Sequence, residues 1–190
     1  MHTEYKIIAF IDQPAFREWL GKNGNTTQGI WMRIYKKASA EISITYREAL
    51  DEALCYGWID GQRRSYDELS YLQKFTPRRS KSIWSKRNVE HIARLREAGF
   101  MTPAGMLEVS KAQADGRWQA AYDAASEMEV PQDFLSELSR WPKAEAFFNS
   151  LNKTNRFAIA WRLQTAKTPV TRTRRMERII SMLDAGEKLQ

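Results

Sequence analysis

A chain of 190 residues with a net charge of +7, 43% hydrophobic residues and a mean hydropathy of −0.60 has enough apolar material for a packed core. It contains no apolar run near the roughly 18 residues that span a bilayer. The single cysteine, Cys55, excludes an internal disulfide, and with only His2 and His91 beside it a conventional zinc cluster would need several carboxylates.

Tyr5 to Phe10 predicts a first strand. Asp12 then caps a helix with Pro14 near its start, carrying Phe16, Trp19 and Leu20 and ending in the Gly21–Asn25 turn. Ile30, Met32 and Ile34 alternate with Trp31, Arg33 and Tyr35, a period of two that predicts a strand. Thr45-Tyr-Arg-Glu48 has the form of a capping box and opens a helix that Gly57 closes. Trp58 to Gly61 reads as a turn, followed by a hairpin of Gln62–Tyr66 and Tyr71–Phe75. Pro77 stops that hairpin. A serine- and arginine-rich stretch leads into a helix ending at Gly99, and Thr102-Pro103 opens another that ends near Gly116. A short helix is expected after Trp118. From Val130 onward only amphipathic helical segments appear, around Phe134–Leu138, Phe147–Leu151, Asn155–Leu163 and Met176–Leu183. The expected fold class is α+β: a small N-terminal sheet of about four strands packed with helices over residues 1–127, then an all-helical part over 128–190.

The charge is uneven. Residues 61–97 hold ten Lys/Arg against four Asp/Glu, residues 153–178 hold eight against one, and the remainder is acidic. Concentrated positive charge points to an anionic partner, nucleic acid or a phosphorylated ligand. The strongest candidate is Phe75–Asn88. Arg78, Arg79 and Lys81 lie beside Ser80, Ser82 and Ser85, any of which can cap the following helix, and Trp84 and Asn88 complete the stretch. Guanidinium groups hold phosphate or carboxylate in a bidentate way, and a helix N-terminus favours an anion. Arg63, Arg64, Trp58, Arg172, Arg174 and Arg175 are candidates for an extension of that surface. Tryptophans near basic residues can stack on bases, although core packing is the commoner fate of an indole.

Several motifs carry a resemblance. Glu48-Ala-Leu-Asp-Glu-Ala-Leu-Cys-Tyr-Gly-Trp-Ile-Asp-Gly61, Phe75-Thr-Pro-Arg-Arg-Ser-Lys-Ser-Ile-Trp-Ser-Lys-Arg-Asn88, Met101-Thr-Pro-Ala-Gly105 and Gly116-Arg-Trp118 stand in the order seen in the bacterial YdeI/OmpD-associated, or bacteriocin-protection, family. Ala166-Lys167 and Thr171-Arg-Thr-Arg-Arg175 resemble its helical tail. Phe100 stands where that family has a basic residue, and Val170 where it has an acidic one. The resemblance implies a role in bacterial stress or antimicrobial resistance and an envelope association. It transfers no catalytic residue.

Cys55 sits in the last turn of a helix among apolar neighbours, where a thiolate is disfavoured, and reads as structural. His91 reads as a surface residue. No Walker loop, dinucleotide fingerprint or nucleophile elbow is present. The resulting expectation is a non-catalytic protein without cofactor or metal, binding an anionic partner through residues 76–88. The absence of a secretory n-region and h-region, together with the lone cysteine, leads to the expectation of a cytoplasmic location. Two alternatives stand beside it. One is an enzyme with Asp60 as acid or base in a pocket between Trp58–Gly61 and Thr76–Asn88. The other is a protein-interaction module in envelope stress.

Overall fold

The computed structural model describes residues 5–123 and 127–189, so His2 lies outside the described residues. Among the described residues four strands form one sheet and eight helices surround or follow it. The chain divides into two compact units, Met1–Ala121 and Tyr122–Gln190.

The first unit begins with β1 (Ile7–Ala9), α1 (Gln13–Asn23) and β2 (Ile30–Tyr35), with β1 and β2 parallel. Asp12 caps α1 by accepting from the Ala15 N–H at 2.9 Å. After α2 (Tyr46–Cys55), the antiparallel pair β3 (Trp58–Ser65) and β4 (Ser70–Pro77) completes a sheet of order β1-β2-β4-β3. The stretch from Trp58 to Gly61 is therefore strand, which corrects the turn expected there. Asp60 pairs with Phe75 of β4, and the Gly61 carbonyl accepts from the Gln73 side chain, so both find partners within the sheet instead of in a turn.

One face of the sheet builds the core. Ile30, Met32, Ile34 and Phe75 pack with Phe16 and Leu20 of α1, Ala49 and Ala53 of α2, and Trp58. The other side of α2 is buried too. Leu50, Leu54 and Cys55 pack with Trp84, with Ile92 and Leu95 of α3 (Lys86–Glu97), and with Val109 and Ala112 of α4 (Pro103–Ala114). Every residue from Ala49 to Cys55 is buried, so α2 is a central helix and not a one-sided surface helix. Its two buried acids are paired. Glu52 accepts from Arg17 at 2.9 Å and from Gln13 at 2.7 Å. Asp51 accepts from Arg94 at 2.6 Å and meets His91 Nδ1 at 2.7 Å. His91 is thus half-buried against a carboxylate, which corrects its reading as a plain surface residue.

Glycine permits a close helix contact. A Cβ on Gly105 would stand 2.2 Å from the Cys55 carbonyl oxygen, so α4 can cross the end of α2 only with no side chain there. Residues 115–120 form turns, and the short helix expected after Trp118 does not appear over 119–123.

The second unit is helical, with α5 (Gln132–Leu138), α6 (Pro142–Ser150), α7 (Lys153–Gln164) and α8 (Pro169–Asp184). Phe134, Leu138, Phe148, Ile159, Leu163, Ile179, Ile180 and Leu183 form its core. No helix among the described residues is long and apolar enough to cross a membrane.

Candidate functional site

The Phe75–Asn88 stretch is tied down from several sides. The Arg78 backbone N–H donates to the Gly57 carbonyl at 3.0 Å. Arg78 itself is buried: its guanidinium lies 3.5 Å over the Trp84 ring and donates to the Ile83 carbonyl at 3.4 Å. Trp84 is 1% exposed and packs on Trp118 at 4.9 Å. Arg117 donates to the Ser82 carbonyl at 2.9 Å, which explains the Gly116-Arg-Trp118 motif as a clamp on this loop. Of the three candidate serines it is Ser85 that caps α3, accepting from the Asn88 N–H at 3.1 Å. Ser82 Oγ accepts from the Arg79 N–H at 3.1 Å. Arg79, Ser80 and Lys81 are exposed, and Ser82, Ser85 and Asn88 are half-buried. The hydroxyls of Ser82 and Ser85 are thus occupied in shaping the loop.

The motifs that carry the resemblance meet in the same place. Thr102 joins Cys55, Gly105 lies against it, Arg78 joins Gly57, and Trp84 and Trp118 pack beside Leu50 and Leu54. Their shared role is packing. Trp58 is likewise core, 1% exposed, with its indole N–H donating to the Gly24 carbonyl at 3.2 Å. Asp60 accepts from the Tyr46 hydroxyl at 2.8 Å. Burial and that carboxylate together push the Tyr46 pKa up. Burial, with Glu52 nearby, pushes the Cys55 thiol up to about 11, as an inert structural cysteine requires.

A different surface of the first unit combines charge with aromatic rings. Cross-strand register places Trp31 opposite Lys74, and Arg33, Leu72 and Arg64 side by side, all on the sheet face away from the α1–α2 core. Arg64 lies 4.2 Å over the Trp31 ring, and Lys74 Nζ is 4.1 Å from the Tyr5 ring and 5.8 Å from Trp31. Arg33 stands between Tyr35 at 4.6 Å and Tyr66 at 5.1 Å, braced by Asp67 at 2.7 Å. Arg64 and Lys74 have no ion pair among the described residues.

A β-bulge sets this face. Asp60 pairs with Phe75 but Arg63 pairs with Gln73, so β3 carries one extra residue there. Buried Gln73 donates to the Gly61 carbonyl at 2.9 Å and the Gln62 carbonyl at 3.3 Å, satisfying the bulged backbone. A side-chain period of two means that the extra residue exchanges the faces of everything beyond it. Arg64 thereby turns outward over Trp31. Arg63 turns to the opposite face, 3.8 Å over Tyr71. The two adjacent arginines expected to act together therefore serve different faces.

The basic residues of the second unit are partly committed to packing. Arg172 pairs with Asp133 through both carboxylate oxygens, which holds that carboxyl below its ordinary range. Arg175 donates to the Arg162 carbonyl at 2.6 Å, near the end of α7. Arg174 is exposed.

Residues 8–108 match the model of a domain of unknown function (DUF8412), which covers more than half of the chain. The chain belongs to that family. Residues 127–186 match the family described as Bacteriocin-protection, YdeI or OmpD-Associated. The resemblance read from the sequence therefore holds, but over the helical unit. Most of the motifs that suggested it lie in the DUF8412 domain instead. Comparison with curated proteins and with solved structures gives no match.

Proposed function

We propose that this YdeI/OmpD-associated protein is a non-catalytic binder of an anionic partner, and that the partner is single-stranded nucleic acid held on the outer face of the DUF8412 sheet. The observation that carries the reading is the interleaving of cations and rings on one pleated surface: Arg64 over Trp31 beside Lys74, and Arg33 between Tyr35 and Tyr66. Bases stack on aromatic rings and on guanidinium planes without regard to sequence, and the cations neutralise the sugar–phosphate backbone. An excess of positive charge over residues 61–97 supports the same partner.

This reading keeps the anionic ligand expected from the charge distribution and moves its main contact surface. The loop at 76–88 is less suited, because Arg78 and Trp84 are buried against each other and its serines close internal hydrogen bonds. Exposed Arg79 and Lys81 remain as peripheral charge. The enzymatic alternative needs an Asp60 open to substrate, whereas Tyr46 donates to it. We place the protein in the cytoplasm and, in keeping with the bacteriocin-protection family that its helical unit matches, in bacterial protection against antimicrobials. The test is fluorescence anisotropy of a labelled single-stranded oligonucleotide, titrated with wild type and with Trp31→Ala and Arg64→Ala variants.

A further inference from the structure

The second unit presents a groove whose chemistry is opposite to the charge of the chain. It encloses about 520 Å³ between α8 and the junction of α5 with α6. Met176, Ile180 and Asp184 contribute from α8 at four-residue spacings, and Glu177 stands three residues before Ile180, so that all four line one side of the helix. Glu137 and Trp141 close the other side. Ile180 belongs to the core and Met176 packs against it, so the floor is apolar. Trp141 is 47% exposed at the rim. In a protein of net charge +7, this groove is lined by three carboxylates and, among the described residues, by no basic side chain.

The carboxylates are not equivalent. Glu137 pairs with Arg140 at 3.0 Å. Glu177 and Asp184 have no ion pair among the described residues. They stand seven residues apart, about 10 Å along the helix axis. Between them lies the Ile180 floor. A volume of this size suits a small molecule.

We propose that this groove binds an organic cation, an apolar body carrying an ammonium group. The apolar body would rest on Met176 and Ile180. The ammonium would lie between Glu177 or Asp184 and the face of Trp141, where ring quadrupole and carboxylate attract it together. Charge complementarity fixes the sign of the ligand: a neutral body gains only the floor, and an anion meets three carboxylates. The inference is independent of the sheet face.

Three probes sharing one body separate these contributions: 4-phenylbutylamine, 4-phenylbutanol and 4-phenylbutyrate, each titrated into the full chain. The readout is the indole N–H signal of Trp141 in a proton–nitrogen correlation spectrum, assigned by its loss in Trp141→Phe. The amine is expected to shift that signal to saturation and to bind about tenfold more tightly than the alcohol, with no shift from the carboxylate. The double variant Glu177→Gln, Asp184→Asn, which changes only exposed groups, is expected to weaken the amine about tenfold and leave the alcohol unchanged. The proposal is overturned if amine and alcohol bind equally, if the double variant binds the amine as wild type does, or if no probe moves the Trp141 signal at low-millimolar concentration.

Discussion

Thr102 donates its hydroxyl to the carbonyl oxygen of Cys55 at 2.6 Å, and its backbone N–H reaches the same oxygen at 3.2 Å. The start of α4 therefore satisfies a carbonyl that the end of α2 leaves free. Gly105, three residues on, makes the approach possible. Gly105→Ala places a methyl group against backbone that cannot swing aside, and is expected to destabilise the first unit by about 1–3 kcal/mol. Thermal denaturation followed by circular dichroism measures it. An unchanged midpoint would show that the two helices do not cross this closely.

The buried acids of α2 make a second prediction. Asp51→Ala removes the acceptor shared by Arg94 and His91. Arg94 is 47% exposed and can return to water, so the expected loss is about 2 kcal/mol rather than the larger cost of a stranded buried charge. Urea denaturation with the midpoint compared at constant m-value checks it.

The pH dependence has a definite sign. The Cys55 thiol has a folded-state pKa of about 11 against an ordinary 9.0. Between those values the unfolded chain releases a proton that the folded chain retains, so the thiol's contribution to stability is fully present below pH 9 and is lost as pH rises toward 11. Tyr46, also raised, adds a slope of the same sign at higher pH. Cys55→Ala is expected to flatten the pH 9–11 segment of the stability curve. The same burial predicts that thiol reagents label the wild type only after unfolding.

Much of the fold was legible because local chemistry and long-range packing agree. Asp12, Thr45, Ser85 and Thr102 cap helices where their sequence contexts allow, and the alternation from Ile30 to Tyr35 is the alternation of a strand with one buried face. Features that depend on pairing were not legible. The bulge between Asp60 and Arg63 is invisible without the register of β4, so nothing local shows which of Arg63 and Arg64 takes the outer face. Nor does a basic, serine-rich stretch announce that Arg78 will be buried against Trp84. The signal for the sheet face was present in Trp31, Arg33 and Tyr35 on alternate residues, but it takes meaning only beside Lys74 and Arg64.

On that face, stacking and charge are separable. Trp31→Ala is expected to weaken oligonucleotide binding about tenfold, through loss of a stacking surface worth about 1–3 kcal/mol. Arg64→Ala and Lys74→Ala are each expected to lower the salt slope by about 0.7 as one phosphate contact is lost. Gln73→Leu leaves the bulged carbonyls of Gly61 and Gln62 without their donor and is expected to weaken binding through Arg64.

The most direct test is the salt dependence of single-stranded oligonucleotide binding, measured by anisotropy for the wild type, for Arg64→Ala with Lys74→Ala, and for Arg79→Ala with Lys81→Ala. The account predicts that log K falls linearly with log salt for the wild type. It predicts that the slope is clearly shallower in the sheet-face pair and nearly unchanged in the loop pair. No binding by the wild type at low salt, or a loss confined to the Arg79 and Lys81 variant, would contradict it.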